Sequence, residues 1–206
     1  LLDSSHWIDP EKRDNVDWEI DNLGLKNKKF LTTISRLEPM KYIEHVIFTV
    51  QELRKREIDV YGLIIGDGSL RKEFENLAIS KDVFDYIKFA GNCKQEFIAN
   101  ILPHSSAILS PHMGRGLTEA ALSGVPIVGY DYDWQREVII NNKTGYLIEH
   151  ENWMAMSDAV EHLLSNKNIA EKLGKNVRDH IAKMMNPENL NNHEKNCYSS
   201  IIESEL

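Results

Sequence analysis

Two kinds of apolar pattern alternate along the chain. Short runs that are apolar or β-branched at nearly every position are KFLTTIS (29–35), VYGLIIGDG (60–68), YIKFAG (86–91), SAILS (106–110), PIVGY (126–130) and TGYLIE (144–149). Runs of this length and density read as strands covered on both faces, as in a parallel sheet. Between them lie segments with helical spacing. In IEHVIFTVQELRKRE, Ile43, Val46, Ile47, Val50 and Leu53 recur on one face. SLRKEFENLAIS reads as a helix that Ser69 caps, KQEFIANIL as a short helix, and further helices are expected within PHMGRGLTEAALSG and from Trp134 to Asn141. The order predicts an α/β fold: a Rossmann-like, open, mostly parallel sheet flanked by helices.

Beyond Glu149 the pattern becomes purely helical. WMAMSDAVEHLLSN and IAEKLGKNVRDHIAKMM are amphipathic, with Met154, Ala159, Leu163 and Leu164, then Leu173, Val177 and Ile181, as expected core positions. Pro187 follows, and then a polar tail. The organisation expected is a charged lead-in segment over 1–28, carrying Trp7 and Trp18, a nucleotide-binding-type domain over 29–165, and a helical extension over 166–206.

Composition narrows the function classes. At 206 residues, 42% apolar and 27% charged, the chain has the make-up of a globular protein with a sizeable core. A net charge of -8 argues against a nucleic-acid partner gripped through its phosphates. No apolar run is long enough to cross a bilayer and the start has no basic, signal-like region. Two cysteines, Cys93 and Cys197, lack metal-ligand spacing and are too few for a disulfide framework, so a reducing, cytoplasmic setting is expected. A first residue of Leu rather than Met suggests a piece of something longer.

Candidate chemistry gathers where strands end. In open α/β sheets ligands sit beyond the carboxyl ends of the strands. Arg36 follows the first strand and Lys41 comes five residues on; Gly66-Asp67-Gly68 follows the second; and PHMGRGLTEAALSGVP, with Gly114, Gly116 and Glu119, follows the fourth. Long cations with a glycine-rich helix start suit a diphosphate, because guanidinium, ammonium and backbone N–H groups all favour phosphate oxygens. Taken singly, Arg36 or Lys41 fits a solvated surface charge, Gly66 and Gly68 fit a tight turn equally well, and Glu119 fits a first-turn carboxylate. No GxGxxG follows the first strand, which argues against NAD or FAD. Asp131, Asp133 and Glu137 lie close together, but a hard cation needs several converging oxygens, so Glu137 and Trp134 read better as cleft lining or a helix cap. His112 is the histidine best placed near the site, and Cys93 either fills space or lines a base pocket.

The joint order SRLEPMK, LIIGDGSLRKEF, IKFAGN, AILSP, GLTEAALSGVPIVGYD and EVIINNKTGYLI resembles the carboxy-terminal, donor-binding domain of group 1 glycosyltransferases with the GT-B fold, from about residue 29 to 165. The resemblance implies binding of a nucleotide-diphosphate sugar, such as a UDP- or GDP-sugar, and transfer with retention at the anomeric carbon. It gives Arg36 and Lys41 the catalytic role of holding the diphosphate and stabilising the leaving group. Glu119 would bind the ribose hydroxyls. His112, Met113, Gly114, Arg115 and Gly116 would face sugar and phosphate, with Gly66 and Leu117 beside them. No metal or other cofactor is implied. The acceptor, whether glycan, lipid or another molecule, would be held by an amino-terminal domain that residues 1–28 are too few to form. Peripheral membrane contact through that other half stays open, and the 206-residue chain alone is expected to bind donor without efficient transfer. One position departs from the family: with seven residues between it and Glu119, where a second glutamate is usual, stands Pro111. Conversely, Arg115 is an added cation, facing either phosphate, a charged donor or solvent. A non-catalytic α/β interaction module and a GT-B nucleotide-sugar epimerase fragment are the alternatives.

Overall fold

The computed structural model describes residues 16–186. Six strands, β1 (Lys29–Ile34), β2 (Val60–Ile65), β3 (Ile87–Gly91), β4 (Ala107–Ser110), β5 (Ile127–Tyr130) and β6 (Tyr146–Ile148), form one sheet in the order β3-β2-β1-β4-β5-β6. Every neighbouring pair is parallel. The expected mostly parallel sheet is therefore wholly parallel among the described residues. The order reverses between β1 and β4, which makes their carboxyl ends the crevice of the fold.

Alternation along the strands sends side chains into two cores. Phe30, Leu63, Ile65, Ile108 and Ile127 face one layer, made by α1 (Asp17–Asn22), α4 (Gln95–Ile101), α5 (Gly116–Leu122) and part of α8 (Lys167–Met184). Leu31, Ile64, Leu109, Val128 and Tyr130 face the other, made by α2 (Ile43–Lys55), α3 (Arg71–Ser80) and α7 (Trp153–Ser165). The short α6 (Gln135–Val138) follows β5. All five residues of the expected α2 stripe are fully buried. From the expected lead-in segment, Val16, Ile20 and Leu25 enter the first core, whereas Trp18 is exposed. From the expected extension, Leu173, Val177 and Ile181 are buried as predicted. Trp7, Pro187 and the polar tail lie outside the described residues.

Three local expectations need correction. Met154 is exposed; Met156, Val160 and Leu163 form the buried stripe of α7, while Met154 receives Arg56 Nη2 on its sulfur at 3.4 Å. Ser69 does not cap α3. Its amide and hydroxyl both donate to the Glu38 carboxylate, at 3.0 and 2.7 Å, and those bonds hold the Glu38 carboxyl below its ordinary range. The helix expected from Trp134 to Asn141 is limited to Gln135–Val138, because Thr144 Oγ1 draws the Ile140 amide into a turn at 2.7 Å.

Candidate functional site

The ends of β1, β2, β3 and β4 each contribute one wall of a cavity at the crevice between β1 and β4. The exit of β1 supplies Ile34, Ser35 and Arg36; the exit of β2, Ile65 and Gly66; and the exit of β3, Asn92 and Cys93. Met113, Arg115, Gly116 and Glu119 come from the loop after β4 and the first turn of α5, and Ile98 of α4 closes the floor. The space measures about 280 Å³.

Glycine shapes two of these walls. A Cβ on Gly66 would stand 1.9 Å from the Ser35 carbonyl oxygen, and its φ of 131° is one that side-chain-bearing residues rarely adopt. Gly116 lets α5 start against the end of β1, where a Cβ would come 3.2 Å from the Ile34 carbonyl oxygen. Glu119, one turn further in, is thereby carried to the cavity wall. Burial pushes its carboxyl above the ordinary value, and the Arg115 charge opposes that shift. Gln95 Nε2 donates to Glu119 Oε1 at 3.4 Å.

Arg36 and Arg115 are both exposed, and neither takes part in an ion pair among the described residues. In a chain of net charge -8 the cavity is thus lined by two guanidiniums and one carboxylate. Such a lining concentrates anions that also carry hydroxyl groups, since guanidinium forks fit phosphate oxygens and a carboxylate accepts from hydroxyls.

Several other expected residues are not among those lining the cavity. Lys41 is half-buried on the loop between β1 and α2 and is not among the lining residues. Gly114 has φ 65° with open space around it. Leu117 turns its side chain fully into the core, and its amide donates to the Gly114 carbonyl at 3.0 Å. The His112 ring donates Nδ1–H to the Met40 carbonyl at 3.0 Å. Pro111 is buried, and its carbonyl accepts from Gln135 Nε2 at 3.1 Å. That fully buried amide also donates to the Tyr130 carbonyl at 3.1 Å and accepts from the Ser110 hydroxyl, so it ties the ends of β4 and β5 together. Asp131 pairs with Arg136 at 2.8 Å, and Asp133 faces His112 at 3.5 Å, so these two carboxylates point to different partners.

Sequence reasoning missed Ser35, Asn92, Gln95 and Gln135. The first two are simply the residues next beyond strand ends, which is the one signal that marks them. Cys93 sits in the wall, where burial raises its thiol above the ordinary value.

Comparison with known proteins fits this geometry. The family described as glycosyl transferases group 1 matches residues 17–180. The chain is 28% identical over 184 residues to poly(ribitol-phosphate) alpha-N-acetylglucosaminyltransferase of Staphylococcus aureus (strain COL), covering 85% of this chain and 36% of that protein. It is 25% identical over 161 residues to alpha-D-kanosaminyltransferase of Streptomyces kanamyceticus, covering 76% of this chain and 42% of that protein. The chain thus spans less than half the length of these relatives. Its fold matches the crystal structure of Anabaena HepE in complex with UDP, with a TM-score of 0.82 at 17% identity, over 97% of this chain and 56% of that one.

Proposed function

Because the chain belongs to the group 1 glycosyl transferases, we propose that it is the half of a transferase that binds the nucleoside diphosphate of an activated sugar. The observation that carries this reading is the cavity at the β1/β4 switch point, where Arg36, Arg115 and Glu119 converge. In this reading the guanidiniums meet the diphosphate and Glu119 accepts hydrogen bonds from the vicinal ribose hydroxyls. Arg36 is one catalytic cation and Lys41, on the same loop, is the other. As the acceptor oxygen bonds to the anomeric carbon, the diphosphate leaves with the electron pair of the broken bond and takes up the acceptor's proton. Negative charge grows on the departing phosphate, and cations already in place lower that barrier without rearranging solvent. They fill the place that a metal ion would otherwise take. UDP is the first nucleotide to test, since a fold relative holds it. Retention at the anomeric carbon is the outcome we propose, on the strength of relatives named for alpha transfer; an inverted product anomer by NMR would refute it.

Binding is tested by titrating the chain with UDP, GDP and their sugars while following its melting temperature. A ligand at about 100 times its Kd stabilises by roughly 2.7 kcal/mol. Arg36→Ala and Glu119→Ala should each remove most of that gain. If no nucleotide shifts the melting temperature at millimolar concentration, the reading fails.

A further inference from the structure

The loop bearing Lys41 is held by a network that runs to the loop lining the cavity. Met40 and Tyr42, on either side of Lys41, are both left-handed, with φ 62° and 54°. Asp133, at φ 55°, faces His112, and Glu151, at φ 64°, stands with its carboxylate 4.0 Å from His150 Nδ1, so two more such residues belong to the same network. Left-handed residues other than glycine persist where their surroundings over-determine them, and they cluster at functional sites. Here the surroundings can be named. His112 donates Nδ1–H to the Met40 carbonyl at 3.0 Å and turns Nε2 toward Asp133 Oδ2 at 3.5 Å. Its ring stands edge-on to Tyr132 with centroids 5.1 Å apart. Tyr132 stacks on His150 at 4.2 Å and 7°, and His150 meets the Tyr42 ring edge-on at 5.0 Å. The chain of contacts leaves Met40, passes through loops after β4, β5 and β6, and returns to Tyr42. Lys41 lies between its two ends.

We propose that His112 is a positioning residue for Lys41: its bond to the Met40 carbonyl locks the β1–α2 loop to the β4–α5 loop and sets the ammonium against the donor diphosphate. The inference rests on the reading that Lys41 neutralises that diphosphate. Lys41 is not itself among the cavity's lining residues, so its ammonium would have to reach in along a long flexible stem, and a fixed backbone limits where that stem can go. The His112 bond provides that fixing from the very loop that carries Met113 and Arg115 to the other side of the cavity.

The test compares nucleoside diphosphate with monophosphate, because a cation placed at the outer phosphate strengthens the first and not the second. Affinities of the chain for UDP and UMP are measured by calorimetry, with GDP and GMP in parallel. Lys41→Ala should weaken UDP by about 10-fold and leave UMP unchanged. His112→Ala should produce the same selective loss at about 3- to 10-fold, and should add nothing in a Lys41→Ala background. His112→Asn, whose amide N–H replaces Nδ1–H, should restore the preference; His112→Gln, whose amide lies at the place of Nε2, should not. Equal weakening of UDP and UMP by His112→Ala, equal rescue by Asn and Gln, or multiplicative losses with Lys41→Ala would each overturn the proposal. If Lys41→Ala alone leaves the diphosphate preference intact, the role of Lys41 fails and the inference with it. If Lys41→Ala abolishes the preference and His112→Ala does not, only the inference fails. Should His112→Ala not fold, the Asn and Gln pair decides.

Discussion

Gly66→Ala joins the fold to the site most directly. Gly66 stands at the carboxyl end of β2, its amide donates to the Gly91 carbonyl at 2.8 Å, and Ser35 N donates to the Ile65 carbonyl at 3.0 Å. Those bonds hold Gly66 against Ser35, where a new Cβ would lie 1.9 Å from the Ser35 carbonyl oxygen. Restoring ordinary separation needs a retreat of roughly 1.5 Å between two backbone segments fixed by the sheet. Overpacking of that kind costs about 1–3 kcal/mol, and holding alanine in an unfavourable φ adds about 1–3 kcal/mol. Against this, alanine restricts the unfolded chain and recovers only about 0.4–1 kcal/mol. The net expectation is a loss of roughly 1–5.6 kcal/mol, at its upper end a large fraction of the stability of an ordinary domain. In urea denaturation the midpoint should fall by on the order of 1 M at unchanged slope. Because Ser35 immediately precedes Arg36, nucleotide-induced stabilisation should shrink as well. Gly114→Ala is the control: its φ is 65° but its Cβ would meet nothing within 4 Å, so it isolates the backbone cost at about 1 kcal/mol. A Gly66→Ala midpoint equal to or above that of Gly114→Ala would refute the reasoning.

Two further outcomes test separate parts of the structure. Gly174→Ala lies inside α8, where helix propensity favours alanine by about 0.8–1 kcal/mol. Its Cβ would nevertheless come 2.0 Å from the Gly124 carbonyl oxygen, so the variant should be less stable in urea, and a gain in stability would show that α8 does not approach so closely. For Glu119, burial raises the folded carboxyl above its ordinary 4.5, so the folded state holds a proton that the unfolded state releases. The contribution of this group to stability is therefore fully present below about 4.5 and is lost as pH rises through the folded value. Glu119→Gln should gain in melting temperature relative to the native chain between pH 4 and 7 while losing nucleotide binding; a relative melting temperature that is flat or falling over that range would contradict the burial argument.

How much of this was legible in the sequence depended on whether the decisive partner was local. The α2 stripe and the β2 run were readable because a period of 3.6 or a dense apolar run is set by the element's own residues. In α7 Leu163 is buried and Ala159 and Leu164 pack against the core as expected, and only Met154 falls off that face: Met154 and Met156 are equally apolar, and packing across to α2 selects Met156 while Arg56 covers Met154 from outside. Ser69 looked like a cap because its natural competitor, Glu38, comes from the preceding crossover and is invisible to local pattern. The site followed the same division. Arg36, Gly66, Gly116 and Glu119 were recognisable as strand-exit chemistry, whereas Asn92 and Gln135 carry ordinary side chains whose importance is created by what faces them.

The same distinction explains why Pro111 is compatible with a built site. A glutamate at that position would carry a charge at the exit of β4; proline leaves only a backbone carbonyl there, and a buried carbonyl needs a donor. Gln135 supplies it, and with its remaining bonds to Ser110 and Tyr130 it spends its whole amide on fixing the ends of two neighbouring strands. The loop from His112 to Arg115 therefore leaves a rigid anchor at one end and enters α5 at the other, where Gly116 packs on Ile34. Between these two points the chain has little freedom, and His112 and Arg115 project from it to opposite tasks: one bonds the loop of Lys41, the other lines the cavity. In the proposed reading a loop held at both ends can present fixed charge to a ligand without a carboxylate at position 111, because Arg115 and Arg36 line the cavity with positive charge and Glu119 offers it an acceptor.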